Sequence, residues 1–445
     1  MLGSGGEAGR TGRRSEPATA AISLFAFLSL LAVSVGLATA ATPASEKRSY
    51  IITLEDSIDH PGQVGRAQVD RYGGRLGFIY RYGPIGYSAT LAADAVEALR
   101  REPSVVEVTP DLITGEAAAQ TASTGIKRVF AFANKALQID EKNNHWVNAD
   151  VAVIDAGFVK EKDLNLVKSV FCKLVGGIAA CKAEETPDRT DEHGTAVASV
   201  LGAIDNEEGV VGVAPGVRLW SIKVLDDTGV KESVAIAAIN WVTEHAEEIE
   251  VANMSIGCAG TGVCTASGIK TAISAAVGAG VVFVVSAGNN NIDVSKNGYG
   301  NNPSAITGSG IADYNGKPEF GAATLWSPSC SPEKLKEGEE TLGKDDERYS
   351  NSNWGELVDL TAPAVCIRTL KKGGGLAYWS GTSFAAPEIA GAAAILAEHE
   401  NPETLSDVTE ISETLKASGN YGWVDTSADG FWEPLLDLHD EAIFK

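Results

Sequence analysis

Residues 279–291 read AGVVFVVSAGNNN, a continuous apolar run that ends in a glycine turn and three asparagines. Such a run, without alternation of polar and apolar residues, is typical of a strand buried on both faces of a sheet. Similar runs are DVAVID at 150–155, VRLWSIKVL at 217–225, VANMSIG at 251–257 and ELVDLTAP at 356–363. Amphipathic or alanine-rich segments of helical length occupy 193–204, 233–249 and 268–280. This alternation predicts an α/β fold over residues 124–445, with a mainly parallel sheet and helices on both faces.

A smaller unit precedes this one, at about residues 49–111. Its patterns follow the order strand, helix, strand, strand, helix, strand, and the second helical pattern stops at Pro103. We therefore predict a small α+β domain. Residues 112–123, LITGEAAAQTAS, have no periodic pattern and are interpreted as a linker.

The first 40 residues have the pattern of an export signal. Three arginines, at positions 10, 13 and 14, precede an apolar run that ends in Ala38-Thr39-Ala40. This combination is typical of a secretory signal peptide, so we predict cleavage after Ala40 and a secreted, extracellular protein. The apolar run is also long enough to be an uncleaved membrane anchor. We expect contact with a membrane only if the signal remains uncleaved.

The net charge of −23 is concentrated in the larger unit. Residues 1–123 contain 11 Lys and Arg against 13 Asp and Glu, whereas residues 124–445 contain 25 against 46. Because a strongly acidic body repels polyanions, we exclude nucleic acid and anionic membranes as its partners.

Six cysteines follow the export signal, at positions 172, 181, 258, 264, 330 and 366. An even number in an exported chain favours disulfides over metal ligands. Fifteen pairings are possible for six cysteines. The two close pairs favour bridges 172–181 and 258–264, which leaves 330–366 by elimination.

Four polar residues lie at the ends of predicted strands or at the starts of predicted helices. In parallel sheets, active sites form at these positions. Asp155 ends the run 150–155, and Asn289 follows the run at 279–288. His193 and Ser383 each begin a segment of small residues with a helical pattern. Each has an ordinary structural alternative, because carboxylates and amides cap loops and most serines have no chemical role.

Acyl transfer by a serine needs a base, a carboxylate that orients the base, and donors for the oxyanion. Asp155, His193, Ser383 and Asn289 supply each part once, in the chain order Asp, His, Ser. The surrounding motifs, in chain order, are VAVIDAG, HGTAVAS, NMSIG, SAGN and GTSFAAP. Their sequences and order resemble the subtilase family, the subtilisin-like serine proteases, over nearly all of 124–439.

The resemblance implies a role for each matching residue. Asp155 is then the orienting acid, His193 the general base, Ser383 the nucleophile and Asn289 an oxyanion donor beside the Ser383 N–H. Ser255, Ile256 and Gly257 resemble the segment that pairs with an extended peptide substrate through backbone hydrogen bonds. No cofactor is expected for this catalysis.

Residues 41–123, comprising the α+β domain and the linker, resemble the family's inhibitory propeptide. The resemblance thus implies a secreted serine endopeptidase made as a self-processing pre-pro-enzyme. We expect protein or peptide substrates, inhibition by its own propeptide, and a monomer.

Four positions differ from the usual family pattern. Ala156 follows the acid, where the family usually has Thr or Ser. In the motif HGTHVAG, Ala196 replaces the second His and Ser199 replaces the last Gly. Glu388 replaces a His that usually follows the proline. None is one of the four proposed catalytic positions, but Ala156 is expected to alter hydrogen bonding to Asp155.

The stretch AIDNEEGVVGV at 203–213 resembles the family's calcium loop. By this resemblance, structural calcium would be bound by oxygens of Asp163, Ile204, Asn206, Glu208 and Val210. The alternative is a solvated acidic loop. A second acidic stretch, residues 331–353, is interpreted as a solvated surface insertion.

Two rival functions were weighed. A catalytically silent subtilase that only binds protein would be free to lose the catalytic residues, yet all four are present. A related acidic peptidase would use a glutamate base, whereas position 193 is a histidine.

Overall fold

The computed structural model describes residues 47–81, 85–111, 120–158, 160–183, 192–225, 229–318, 342–427 and 429–445. The predicted signal peptide (1–40) and most of the predicted linker lie outside these residues. The chain divides into two units, Met1–Thr114 and Gly115–Lys445. Within the described residues, no helix is long and apolar enough to cross a bilayer.

The first unit is the predicted α+β domain. Its described elements are β1 (Arg48–Leu54), α1 (Pro61–Tyr72), β2 (Arg75–Tyr80), β3 (Gly86–Leu91), α2 (Ala93–Leu99) and β4 (Val105–Pro110). The strands form an antiparallel sheet in the order β2-β3-β1-β4. Its own core includes Ile52, Tyr87, Leu91 and Leu99, each fully buried, so this unit has an apolar interior separate from that of the second unit.

The second unit contains the larger sheet. The described strands of this sheet are β5 (Asp150–Asp155), β6 (Leu166–Val175), β7 (Ile178–Ala183), β8 (Arg218–Lys223), β9 (Val251–Met254), β10 (Val282–Ser286), β11 (Ile306–Ala312), β12 (Glu347–Arg348) and β13 (Leu360–Pro363). A separate hairpin consists of β14 (Ile367–Leu370) and β15 (Leu376–Trp379). The five apolar runs of the sequence supply β5, β8, β9, β10 and β13.

The helices of the second unit lie between and after these strands. Those described are α3 (Thr124–Arg128), α4 (Glu192–Gly202), α5 (Glu232–Thr243), α6 (Ser267–Gly278), α7 (Thr382–Glu400) and α8 (Leu405–Ser418). Short 3-10 turns occur at Lys135–Leu137 and Val294–Lys296.

The sheet order is β12-β11-β10-β9-β5-β8-β6-β7, and β13 pairs with β11. Five neighbouring pairs in this order are parallel: β11 with β10, β10 with β9, β9 with β5, β5 with β8, and β8 with β6. The pair of β11 and β13 is also parallel. Antiparallel pairing occurs where β12 meets β11 and where β7 meets β6. Every residue of β5, β9 and β10 is buried, which requires cover on both faces of the sheet. The fold class predicted from the sequence is confirmed.

One interpretation from the sequence is wrong in part. Residues 342–353 of the acidic stretch are not a solvated insertion, because Asp345, Asp346 and Arg348 are buried. The Asp346 carboxylate accepts a 2.7 Å hydrogen bond from Nε of Arg128, which is also fully buried. A buried cation thus compensates charges that looked solvent-exposed in the sequence. Residues 331–341 lie outside the described residues.

Two predicted disulfides are confirmed. Cys172 pairs with Cys181 across the β6–β7 hairpin, and Cys258 pairs with Cys264 just after β9. Cys366 is also disulfide-bonded, and its predicted partner, Cys330, lies outside the described residues.

Candidate active site

Three neighbouring parallel strands bring predicted site residues to one edge of the sheet. Strands β10, β9 and β5 are neighbours in this order. Asn289 follows β10, Ser255 follows β9, and Asp155 is the last residue of β5. Because parallel strands share one carboxyl edge, residues far apart in the sequence meet there.

The Asp155 carboxylate contacts the imidazole of His193. Nδ1 of His193 lies 2.8 Å from Oδ1 of Asp155, which also accepts a 2.6 Å hydrogen bond from the Ala156 N–H. The Asp155 side chain is fully buried, whereas the His193 side chain is 25% exposed. The pair therefore consists of a buried carboxylate and a partly exposed imidazole.

The second oxygen of this carboxylate has a different environment. Among the described residues, Oδ2 of Asp155 is buried and has no hydrogen-bond partner. Ala156 has no hydroxyl to offer, consistent with the expectation that this position alters hydrogen bonding to Asp155.

Ser383 is the second residue of α7, the helix of small residues that follows the β14–β15 hairpin. It is tied to the end of β9 by two contacts with Ser255. The Ser255 hydroxyl donates to the Ser383 carbonyl at 2.9 Å, and the Ser383 hydroxyl lies 3.4 Å from the Ser255 carbonyl. At a helix N-terminus, the backbone N–H groups and the dipole favour negative charge near the Ser383 side chain.

Asn289 is held beside Ser383 through Thr382. Its Oδ1 accepts hydrogen bonds from the Thr382 N–H at 2.8 Å and the Thr382 hydroxyl at 3.1 Å. The same hydroxyl accepts from the Gly288 N–H at 3.1 Å. The Asn289 side-chain oxygen is thus engaged by Thr382, and the residue as a whole is exposed.

Ser255, Ile256 and Gly257 continue directly from β9 without forming part of the strand. Ser255 and Ile256 are buried, and Gly257 is partly exposed. The Cys258–Cys264 bridge begins at the next residue and closes a short loop after this segment.

Two aromatic rings pack against the imidazole of His193. The ring centroid of Phe384 lies 5.6 Å away at an interplanar angle of 62°, and that of Trp379 lies 6.0 Å away at 88°. The two rings also contact each other at 5.7 Å. Phe384 directly follows Ser383, so the His193 imidazole packs against the helix that carries this serine.

A buried carboxyl lies farther along the same helix. Glu388 is fully buried, and neither of its oxygens has a hydrogen-bond partner within the described residues. Burial raises the pKa of Glu388 well above its ordinary value, and the nearby Asp313 carboxylate acts in the same direction. The sequence identified Glu388 only as a departure from a family pattern, with no sign of this burial.

The residues of the predicted calcium loop also come together. Asp163 accepts hydrogen bonds from Nδ2 of Asn206 at 2.6 Å and from the Val210 N–H at 3.2 Å. Gly209 has a φ of +68°, and a Cβ there would lie 2.3 Å from Oδ2 of Asp163, so only glycine fits. Sequence reasoning missed Gln120, whose side chain accepts from the Asn206 N–H and lies in the region interpreted as linker.

Two family models match the chain. The subtilase family model matches residues 148–429, and the peptidase inhibitor I9 model matches residues 37–114. The two matches fall on the two units of the structure.

Curated relatives are similar over most of their length. Subtilisin E of Bacillus subtilis (strain 168) is 31% identical over 388 residues, covering 86% of this chain and 89% of the relative. Subtilisin of Bacillus pumilus is 32% identical over 311 residues, covering 68% and 96%. A thermostable alkaline protease of Halalkalibacterium halodurans is 25% identical over 392 residues, covering 86% and 91%.

A solved structure also resembles the model. It belongs to a protease from Pseudoalteromonas arctica, with a TM-score of 0.51 at 20% sequence identity, and the match covers 72% of this chain and 97% of that chain. At this identity the likeness shows the fold alone.

Proposed function

The chain belongs to the subtilase family as a subtilisin-like serine protease with an I9 propeptide, and we propose that it cleaves peptide bonds through Asp155, His193 and Ser383. The observation that carries the proposal is the 2.8 Å contact of His193 with buried Asp155, at the sheet edge where Ser383 begins a helix.

In the proposed mechanism, the Ser383 hydroxyl attacks the carbonyl carbon of the scissile bond while His193 accepts the hydroxyl proton. Asp155 holds the imidazole in orientation and stabilises its protonated form. His193 then gives the proton to the leaving amine, and water releases the acyl group by the same steps.

Two donors would stabilise the tetrahedral intermediate. They are Nδ2 of Asn289 and the backbone N–H of Ser383, and the contacts of Asn289 with Thr382 support this assignment because they direct its amide toward the start of α7. An extended substrate would pair with Ser255, Ile256 and Gly257 through its backbone.

Substitution of the proposed residues tests this mechanism. We expect His193→Ala and Ser383→Ala to abolish hydrolysis of a peptide amide, and Asn289→Ala to reduce kcat by about 10²–10³-fold, the usual effect of losing one oxyanion donor. A His193→Ala or Ser383→Ala protein with normal kcat would overturn the assignment, and full activity of Asn289→Ala would remove it from the oxyanion site.

The proposed reaction also accounts for maturation. The I9 match supports an inhibitory role for residues 41–123, and we propose that Ser383 cuts the chain within 112–124 after export and signal cleavage near Ala40. Ser383→Ala should then remain joined from about Ala41 to Lys445. Normal maturation of this variant, expressed alone in a protease-deficient host, would show that another protease makes the cut.

Structural calcium forms a further part of the proposal. The donor chemistry supports this part, because the Asp163 carboxylate, the Asn206 side-chain oxygen and backbone carbonyls are ligands of the type that calcium prefers, and Asp163 lies beside Asn206. By the family resemblance, carbonyl oxygens of Ile204, Glu208 and Val210 would complete this site.

Calcium bound there would link the loop that follows α4 to Asp163. We expect calcium to raise the melting temperature of Ser383→Ala protein and a chelator to reverse the effect. Asp163→Asn in the same background removes one ligand charge, so its calcium response should be weaker. An equal response from both proteins would place calcium elsewhere.

The binding-only alternative predicts a different chemical behaviour. A phosphonate probe that reacts with activated serines should label the mature protein, and Ser383→Ala should remain unlabelled. Absence of labelling in the mature wild type would favour the binding-only function.

A further inference from the structure

Among its contacts with described residues, the imidazole of His193 has a hydrogen bond to Asp155 and packs against two aromatic rings. The hydrogen bond fixes Nδ1 against Asp155. Taken by itself, the hydrogen bond to Asp155 permits the imidazole to tilt about Nδ1, and a quarter of the side chain is exposed. Phe384 and Trp379 pack against the ring at centroid distances of 5.6 and 6.0 Å and restrict this motion.

The two rings are themselves fixed by the elements that carry them. Phe384 is almost fully buried in the first turn of α7. Trp379 ends β15, and the next two residues are anchored to the backbone: the Ser380 hydroxyl accepts from the Cys366 N–H at 3.0 Å, and the Gly381 N–H donates to the Ala364 carbonyl at 2.7 Å. The Trp379 ring therefore has a rigid support.

A further contact joins the hairpin to the helix that carries His193. The Ser199 hydroxyl, on α4, accepts a 3.1 Å hydrogen bond from the Leu370 N–H of β14 and donates to the Ala196 carbonyl at 2.8 Å. Ser199 is one of the departures from the usual family pattern, where glycine has no hydroxyl to make these bonds. In this chain, the helix that carries His193 is linked to the hairpin by a hydrogen bond between a side chain and the backbone, and His193 itself contacts the Trp379 ring.

We propose that Trp379 and Phe384 are positioning residues that keep the His193 imidazole aligned between Asp155 and Ser383. The proposal rests on the proposed function, since it assumes that His193 is the base. Proton transfer requires a defined angle and distance between donor and acceptor, and the loss of a packed ring widens the range of imidazole orientations.

Substitutions at Trp379 provide the test. We expect Trp379→Leu to lower kcat by about three- to tenfold for a peptide amide, with KM changed by no more than about twofold, because an aromatic contact contributes on this scale. Trp379→Phe keeps a ring and should recover most of the loss. Phe384→Leu should lower kcat in the same way.

A small sulfonylating reagent separates positioning from substrate contact. Phenylmethylsulfonyl fluoride reacts with the activated serine without occupying an extended substrate groove, so its inactivation rate should fall in parallel with kcat in Trp379→Leu. Trp432→Leu is the matched control, because Trp432 is about half exposed and packs on Tyr421 and Trp423 instead of His193. Its kcat and inactivation rate should match wild type.

Three results would overturn the inference. They are an unchanged kcat and inactivation rate in both leucine variants at the site, an effect confined to KM, or a Trp379→Phe protein as slow as Trp379→Leu. His193→Ala distinguishes failure of the inference from failure of the proposed function. An inactive His193→Ala beside a normal Trp379→Leu rejects only the positioning role, whereas an active His193→Ala rejects the base itself.

Discussion

At the scale of the residue, Oδ2 of Asp155, which has no hydrogen-bond partner within the described part of the chain, predicts the effect of introducing a hydroxyl at position 156. We expect Ala156→Thr to exceed Ala156→Val in free energy of unfolding by about 1 kcal/mol, because Thr and Val have nearly the same shape and only Thr donates a hydrogen bond. Chemical denaturation in the Ser383→Ala background measures the difference.

Both variants place a larger side chain at a buried position, so the cost of fitting it cancels when Ala156→Thr is compared with Ala156→Val. In the active background, kcat of the Thr variant should exceed that of the Val variant, since a held carboxylate orients the base better. Equal stability and equal kcat would mean that the hydroxyl does not reach Asp155.

Glu388 predicts a pH dependence of stability. Its folded-state pKa is raised by burial and by Asp313, whereas an exposed glutamate has a pKa of about 4.3. At a pH between these two pKa values, Glu388 is protonated in the folded chain and ionised in the unfolded chain. The free energy of unfolding therefore falls as pH rises, by up to about 1.4 kcal/mol per pH unit for one proton. Glu388→Gln should remove this contribution, and its stability relative to the starting protein should increase as pH rises above about 4.3.

Glu398 on the same helix provides the control, because its side chain is partly exposed. Chemical denaturation of Glu398→Gln should give a pH curve parallel to that of the starting protein, all in the Ser383→Ala background. A Glu388→Gln curve with the same slope as the starting protein would show that Glu388 is not the group whose proton is lost.

At the scale of the element, the sequence predicted most of the structure because strand burial and helix periodicity are local properties. The runs at 150–155 and 279–288 became buried strands, and residues at their ends reached one edge of the sheet. The order of elements in the first unit was also correct, since short strands and helices there have clear turn and proline boundaries.

Features that depend on distant partners were missed. The burial of Asp346 depends on Arg128, which is 218 positions away in sequence. Gln120 looked like part of a patternless linker because its partner, Asn206, lies 86 positions away. Nothing in the residues around these side chains identifies the partner, so the sequence alone gave no reason to expect burial or contact.

The Cys258–Cys264 loop belongs to the segment after β9, and its removal should affect binding more than stability. Small loops gain little from the entropy that a bridge removes from the unfolded chain. We expect the double variant Cys258→Ser, Cys264→Ser to raise KM for an extended peptide with a small change in melting temperature. Steady-state kinetics and thermal unfolding measure the two effects.

The other hairpin bridge is the matched control. Cys172 and Cys181 join β6 and β7, at the opposite end of the sheet order from β10. Their double serine variant should leave KM unchanged. A KM effect of the same size in both double variants would show that the Cys258–Cys264 loop has no particular role in the groove.

At the scale of the whole molecule, each unit has a core of its own. If the first unit is the inhibitory propeptide, a separately added peptide of residues 41–123 should inhibit the mature enzyme. Inhibition should be competitive with an extended peptide substrate, because both would occupy the groove at Ser255–Gly257. Initial rates at several peptide concentrations give this result directly.

A peptide with scrambled residues 49–111 controls for nonspecific effects of an added chain. Equal inhibition by the scrambled peptide, or inhibition that substrate does not relieve, would count against a propeptide bound in the groove.

The rings around His193 have a consequence for chemical durability. Oxidants such as hydrogen peroxide convert accessible methionines to polar sulfoxides, a reaction that aromatic rings do not undergo. The chain has two methionines, Met1 and Met254, and Met254 is fully buried; the described cysteines include no free thiol. Because the residue that follows the proposed nucleophile is Phe384, no thioether in that position is available to be oxidised. We therefore expect the enzyme to retain its turnover after exposure to hydrogen peroxide, as initial rates before and after treatment would measure.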